Sequence, residues 1–176
     1  NSLFLHYLRF VDEFKPKLIF FENVPGMLSL ADGLVASCLL EELIRRGYDV
    51  NQRILFAAHY GVPQERWRLI VLASRIGAAP DHPVPTHRAA ARANFRGGRT
   101  LTFRTLESSE LRLAHQVTVA DALDDLPALT SGEGAEEMPY TGMPPSRYAE
   151  ELRRGSPAVF NHFAPRLAAI NLERLR

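Results

Sequence analysis

Apolar residues recur at helical spacing where the chain begins. Leu3, Phe4, Tyr7, Leu8, Val11 and Phe14 share one face, with Ser2 placed to cap the run and Pro16 placed to end it. This pattern predicts an amphipathic helix. Leu18 to Phe21 is a continuous apolar stretch, too short for a helix by itself, and it predicts a central parallel strand covered on both faces. Val35, Cys38, Leu39 and Leu43 then repeat at three and four residues, which predicts a second helix stopped at Gly47. Val50 to Ala58 and Arg68 to Ala73 read as strands rich in branched residues, separated by a Gly61-Val62-Pro63 turn. Alternating helices and strands predict an α/β fold. The short connection at Gly61 predicts an antiparallel last pair of strands, and hence a mixed sheet.

After Ser74 the periodicity weakens. Residues 75 to 112 carry many arginines, several prolines and the Gly97-Gly98 pair, so a boundary is expected near Arg75, dividing the chain into residues 1–75 and 76–176. Thr118 and Asp121 are spaced to cap a short helix that ends at Leu126-Pro127, and Gly132 to Glu137 reads as an acidic loop. Residues 147 to 154 and 165 to 176 read as helices. The chain starts at Asn1 rather than at a methionine and ends on a helical-looking run, so it reads as a piece of a longer protein.

Composition narrows the class. With 176 residues, 46% of them hydrophobic, the chain has the size of an ordinary domain with a sizeable core. A net charge of +1 excludes a globally basic nucleic-acid binder but leaves room for local basic stretches. Cys38 is the single cysteine, which excludes an internal disulfide and a cysteine-rich zinc site and fits a reducing compartment. It falls on the apolar face of the second predicted helix, as a core residue does. Apolar runs stay short of the roughly 20 residues of a membrane span, so a soluble, intracellular protein is expected.

Two stretches carry candidate chemistry. Glu22 closes the first strand in Phe20-Phe21-Glu22-Asn23-Val24-Pro25-Gly26, and ligands of open α/β sheets bind beyond the carboxyl ends of strands. A carboxyl held against apolar walls is harder to ionise and can donate a proton near neutral pH. A glutamate there can equally cap the next helix or pair with an arginine. The second stretch is Gly61-Val62-Pro63-Gln64-Glu65-Arg66-Trp67-Arg68, where strand alternation puts Arg66 and Arg68 on one face and Trp67 on the other. Two guanidiniums on one surface can clamp a phosphate or donate to a carbonyl, or lie solvated at an edge.

Together, Glu22-Asn23-Val24 and, some forty residues on, Gly61-Val62-Pro63-Gln64 with Arg66 and Arg68 before an apolar strand resemble the C5-cytosine DNA methyltransferase family. Tyr48-Asp49-Val50, Pro85-Thr86-His87, Val117 to Ala122, Asp125-Leu126-Pro127 and Asn161-His162 follow in the family's order. The resemblance implies the second half of a Rossmann-like methyltransferase sheet ending in an antiparallel hairpin, then the start of a target-recognition region. It implies transfer of a methyl group from S-adenosylmethionine to C5 of a flipped-out cytosine in double-stranded DNA. Glu22 then serves N3 and the exocyclic amine, Arg68 donates to O2, Arg66 and Gln64 support the catalytic loop, and Asn23 and Val24 line the base pocket.

The family nucleophile lies in a Pro-Cys motif upstream of the glutamate strand, and its glycine-rich cofactor loop lies upstream too. Neither motif is in this chain. The cofactor-binding residues are therefore expected before Asn1, and the chain by itself is expected to be inactive. A transfer-RNA cytosine methyltransferase and a non-catalytic nucleic-acid-binding module of the same fold remain alternatives. With Lys15 and Lys17 its only lysines among many arginines, the chain suggests a GC-rich bacterial genome. The resemblance implies a cytoplasmic, nucleoid-associated setting and a restriction endonuclease as a possible partner.

Overall fold

The computed structural model describes residues 3–90 and 113–174. Contacts divide the chain into two compact units, Asn1–Gln116 and Val117–Arg176. The change of composition at Arg75 coincides with a different feature, the end of the last strand of the main sheet at Ser74.

In the first unit α1 (Leu3–Phe14) turns Leu8 and Val11 into the core, with Phe4 and Tyr7 packed beside them. Ser2, the expected cap, lies outside the described residues. α2 (Leu34–Arg45) buries Ala36, Leu39, Leu40 and Leu43, and ends just before Gly47, which takes a left-handed φ of 82°. Cys38 is only partly buried on this helix. Arg46 ties the helices together. Its Nε and Nη2 donate to both carboxylate oxygens of Asp12 at 2.7 and 2.9 Å, while its Nη1 donates to the Glu42 carbonyl at 2.9 Å. Such a fork-on-carboxylate fit is what a planar guanidinium offers and an ammonium does not.

Both helices cover one face of a three-stranded sheet of order β1-β3-β2, made by β1 (Leu18–Asn23), β2 (Asp49–Phe56) and β3 (Trp67–Ser74). Ile19, Leu69, Val71, Ala73 and Ile54 point into this core. Two expectations are corrected here. β1 and β2 each pair antiparallel with β3, so the sheet is antiparallel rather than mixed. β1 is an edge strand among the described residues, with Leu18 at 55% and Phe20 at 68% exposure, not a central strand covered on both faces. An apolar run reports that both faces of a strand are greasy; it carries no information on which strands lie beside it.

β2 leads into a 3₁₀ turn over Ala57–Tyr60, closed by Gly61 at φ 77°. After β3 the chain runs back along β2. The Ala79 amide donates to the Asp49 carboxylate at 2.8 Å, Asn51 Nδ2 donates to the Pro80 carbonyl at 3.0 Å, and buried His82 sets its Nε2 3.2 Å from the Asn51 carbonyl. Two short strands, β4 (His87–Arg88) and β5 (Ala114–His115), then pair in parallel. Gly97-Gly98 and the arginine-rich stretch from 91 to 112 lie outside the described residues.

The second unit opens with α3 (Val119–Leu123), whose capping box is complete. Thr118 Oγ1 accepts from the Asp121 amide at 3.1 Å and Asp121 accepts from the Thr118 amide at 2.8 Å. α4 (Arg147–Arg153) is capped by Ser146, and α5 spans Ala169–Arg174. The expected acidic loop at Gly132–Glu137 is largely a strand, β6 (Gly134–Met138), paired antiparallel with β7 (Val159–Phe163). A partner strand some 25 residues away overrides the weak strand propensity of Gly-Ala-Glu-Glu, and Glu136 and Glu137 remain exposed. At Gly134 the strands come so close that a Cβ would stand 2.0 Å from the His162 carbonyl oxygen. Asp125, 4% exposed, accepts from Arg153 Nε at 2.6 Å, and the same guanidinium donates to the Gly142 carbonyl at 2.8 Å and lies 3.9 Å over the Tyr140 ring.

His82 makes the first unit sensitive to pH. Burial pushes its imidazole below the ordinary value; nearby Arg53 acts in the same direction, while the Asn51 carbonyl and Asp81 oppose it. The unfolded chain therefore takes up the proton first, near pH 6.5, and stability is full above that value and lost as pH falls through the lower folded-state pKa. Denaturant unfolding of the wild type and His82→Gln is expected to show the wild type losing ground to the variant between about pH 7.5 and about pH 5.5. Parallel pH profiles of the two proteins would contradict this account.

Candidate functional site

Register places the candidate residues. Glu22 stands opposite Ile70 in the β1–β3 ladder, and Arg68 precedes Ile70 by two residues, so both side chains emerge on the same face as diagonal neighbours. They form an ion pair through Arg68 Nε and Glu22 Oε1. Arg68 Nη1 also donates to the Trp67 carbonyl at 2.7 Å, which fixes the guanidinium against its own strand. The Arg68 side chain is 20% exposed and that of Glu22 42%. The apolar walls expected around Glu22 are therefore not what surrounds it; a guanidinium and solvent do.

Beyond the end of β1 the chain turns sharply. Asn23 Oδ1 accepts from the Val24 amide at 2.8 Å and its Nδ2 approaches Met27 Sδ at 3.4 Å, which locks the entry to a 3₁₀ turn over Pro25–Leu28. Opposite, the run into β3 is folded on itself. The Gln64 amide donates to the Val62 carbonyl at 2.7 Å, the Arg66 amide to the Gln64 carbonyl at 3.0 Å, and the Arg66 carbonyl accepts from the Ala57 amide at 2.9 Å.

Between these two turns lies a hollow of about 510 Å³, lined by Val24, Pro25 and Gly26 on one side and by Gln64, Glu65, Arg66, Trp67 and Arg68 on the other. That volume is in the range of small-molecule sites. Val24, Gln64, Arg66 and Arg68 thus share one cavity, and Glu22 joins it through its ion pair. Asn23 instead lines a second cavity of about 580 Å³, mainly apolar, with Phe4, Tyr7, Phe21 and Met27. Trp67 points to the core face opposite Arg68, as strand alternation predicts. It stacks on Phe56 at a centroid distance of 4.5 Å, packs against the core, and still lines the hollow beside the arginines. Glu65, Pro25 and Gly26 were not singled out from sequence, although each sits inside the two motifs that were.

Chemically, a carboxylate and a guanidinium held side by side match a ligand edge that presents neighbouring nitrogen and oxygen atoms. Among the described residues no cluster of His, Cys, Asp or Glu is arranged to hold a metal ion. The apolar cavity presents no acidic side chain among its lining residues that could bind the hydroxyls of a ribose, so no residue here is assigned to a nucleoside cofactor. No helix among the described residues is long and apolar enough to cross a membrane.

A strand-end carboxylate is thus paired diagonally with the second arginine of Gln-x-Arg-x-Arg, beside a hollow between two turns. Residues 1–127 match the family described as C-5 cytosine-specific DNA methylase, and the chain belongs to that family. It is 35% identical to the type II methyltransferase M.DdeI of Desulfomicrobium norvegicum over 94% of this chain and 36% of that protein. It is 32% identical to the type II methyltransferase M.AgeI of Thalassovita gelatinovora over 99% of this chain and 41% of that protein. Likeness extends to DNA (cytosine-5)-methyltransferase 1 of Gallus gallus, 32% identical over 100% of this chain and 12% of the relative. The chain thus spans well under half the length of each of these relatives.

With Glu22 nearly half exposed, its pairing contributes little to folding, since exposed ion pairs are worth about 0–1 kcal/mol. Glu22→Gln is expected to change the unfolding free energy by less than about 1 kcal/mol in urea titration. A loss several times larger would mean that the pair holds the sheet together.

Proposed function

We propose that this chain supplies the base-binding wall of a DNA (cytosine-5-)-methyltransferase that uses S-adenosylmethionine as methyl donor and acts on a flipped-out cytosine in double-stranded DNA. The observation that carries the reading is the Glu22–Arg68 pair beside the hollow shared by Val24, Gln64, Arg66 and Arg68. N3 and O2 of cytosine are neighbours on the ring, and a carboxyl and a guanidinium already held adjacent suit them. Glu22 holds a proton at N3 and orients the exocyclic amine, while Arg68 donates to O2. When a thiolate adds to C6, charge develops on the ring at these positions, so both groups act more strongly on the transition state than on the resting base. Arg66 and Gln64 brace the turn, and Val24 walls the hollow. Asn23 acts beneath it, by locking the turn that presents Val24.

In this reading residues 1–75 are the second half of the catalytic domain, a half of a Rossmann-like sheet, and residues 76–176 are a linker and part of a target-recognition region. The donor supplies an electrophilic methyl group when bound. Cys38, the chain's one thiol, stands part-buried on α2 and is not preceded by proline, so the nucleophile is supplied from elsewhere in the protein. The type II names of two relatives suit a restriction–modification setting with an endonuclease of matching specificity, and a cytoplasmic, nucleoid-associated location suits a DNA substrate.

The test uses the full-length protein and labelled S-adenosylmethionine, with double-stranded DNA and transfer RNA offered side by side. Label is expected on cytosine in DNA. Glu22→Gln and Arg68→Ala are each expected to lower kcat/KM by about a hundredfold or more, and residues 1–176 alone to transfer nothing. Label on transfer RNA alone, or full activity in the Glu22→Gln variant, would overturn the reading.

A further inference from the structure

We infer that His87 is a positioning residue for the arginine-bearing turn. Its imidazole, lodged against Gly61, sets the course of the chain that carries Gln64, Arg66 and Arg68 to the hollow. The inference rests on the function proposed above for that hollow and assigns part of its geometry to a side chain that does not line it.

Gly61 closes the 3₁₀ turn with φ 77°, a conformation that side chains rarely adopt, and the space beside it is already taken. A Cβ built on Gly61 would fall 2.7 Å from His87 Cε1, 3.1 Å from Nδ1 and 3.2 Å from Nε2. The Nδ1–Cε1–Nε2 edge of the ring therefore points straight at the glycine backbone. The ring and its segment are held in place by further contacts. Thr86 Oγ1 lies 2.9 Å from His87 Nδ1, the Thr86 amide donates to the His59 carbonyl at 2.9 Å, and the Ala114 amide donates to the Thr86 carbonyl at 3.0 Å. Tyr60 Oη donates to the Pro83 carbonyl at 3.0 Å, and His59 Nε2 stands 3.3 Å from the Ala89 carbonyl. Residues 83 to 89 are thus fastened to residues 59 and 60 on both sides of the ring.

Among the described residues, the backbone bonds of the turn beyond Gly61 are few. Inside it, the Gln64 and Arg66 amides bond to carbonyls two residues back, and two bonds to Ala57 tie its ends: the Val62 amide donates to the Ala57 carbonyl at 3.3 Å, and the Ala57 amide to the Arg66 carbonyl at 2.9 Å. Bonds between residues two apart fix a kink but not the direction in which it leaves the sheet. The close approach of the His87 ring edge to Gly61 supplies that direction. A displacement of about 1 Å in a group that stabilises a transition state costs on the order of a hundredfold in rate.

The test again uses the full-length protein, with two readouts. In His87→Ala, amide hydrogen exchange over residues 61–66 is expected to quicken about tenfold or more, and kcat for DNA methylation to fall about tenfold or more with KM for DNA changed less than about threefold. General loosening would quicken exchange throughout the first unit, and a smaller active fraction would lower apparent kcat without quickening exchange at all, so a kcat loss together with quickening confined to residues 61–66 marks positioning. The ring contact is read by a double-mutant cycle. Gly61→Ala is expected to cost about tenfold more in exchange protection in the wild type than in the His87→Ala background, where no ring opposes the added methyl. Should His87→Ala not fold, His87→Gln, which keeps length and polarity but not the ring, is expected to show the same quickening to a smaller degree. Additive effects at the two positions, or wild-type exchange at residues 61–66 in the variant, would overturn the inference. If the protein methylates no DNA, the proposed function fails, while the exchange data still decide what His87 does.

Discussion

The antiparallel register of β1 on β3 is the constraint on which the site depends. Because Glu22 stands opposite Ile70, Arg68 is its diagonal neighbour on the same face, and the carboxylate and guanidinium meet without help from any loop. A slip of one residue would send one of them to the core face, among Leu69, Val71 and Ala73. The apolar side of the sheet therefore guards the polar side: the core fixes the register, and the register fixes the pair.

Around that rigid pair the hollow is completed by two turns of different character. The one after β1 is locked by Asn23, whose amide side chain bonds to the next residue and reaches toward Met27. The one before β3 is kinked internally and leans on residues that follow the sheet by more than a dozen positions. Strands position the charged pair, and turns shape the space beside it. This division suits the proposed role, in which charge is met at fixed points while the surrounding space admits a ligand.

Local features were legible in the sequence where local forces decide them. The periodicity of Leu8, Val11, Leu39 and Leu43 fixed two helices, the Thr118–Asp121 spacing fixed a capping box, and the two motifs marked the hollow's lining. What escaped was everything set by partners distant along the chain. Leu18 to Phe21 reads the same whether its neighbours run parallel or antiparallel, and Gly134 to Met138 becomes a strand only because Val159 to Phe163 lies beside it. The Glu22–Arg68 pair spans 46 residues, so adjacency in space followed from the ladder and from nothing in either motif taken alone. The ring edge of His87 against Gly61 was hidden for the same reason.

Gly134 limits how the second unit can change over evolutionary time. Any side chain there would have its first carbon 2.0 Å from a backbone oxygen of the facing strand, and a backbone atom, unlike a flexible side-chain tip, has nowhere to retreat. Any residue that replaces this glycine must push the two strands apart at the end of their pairing, at Phe163, a steric cost that the exposed glutamates two and three residues later do not carry.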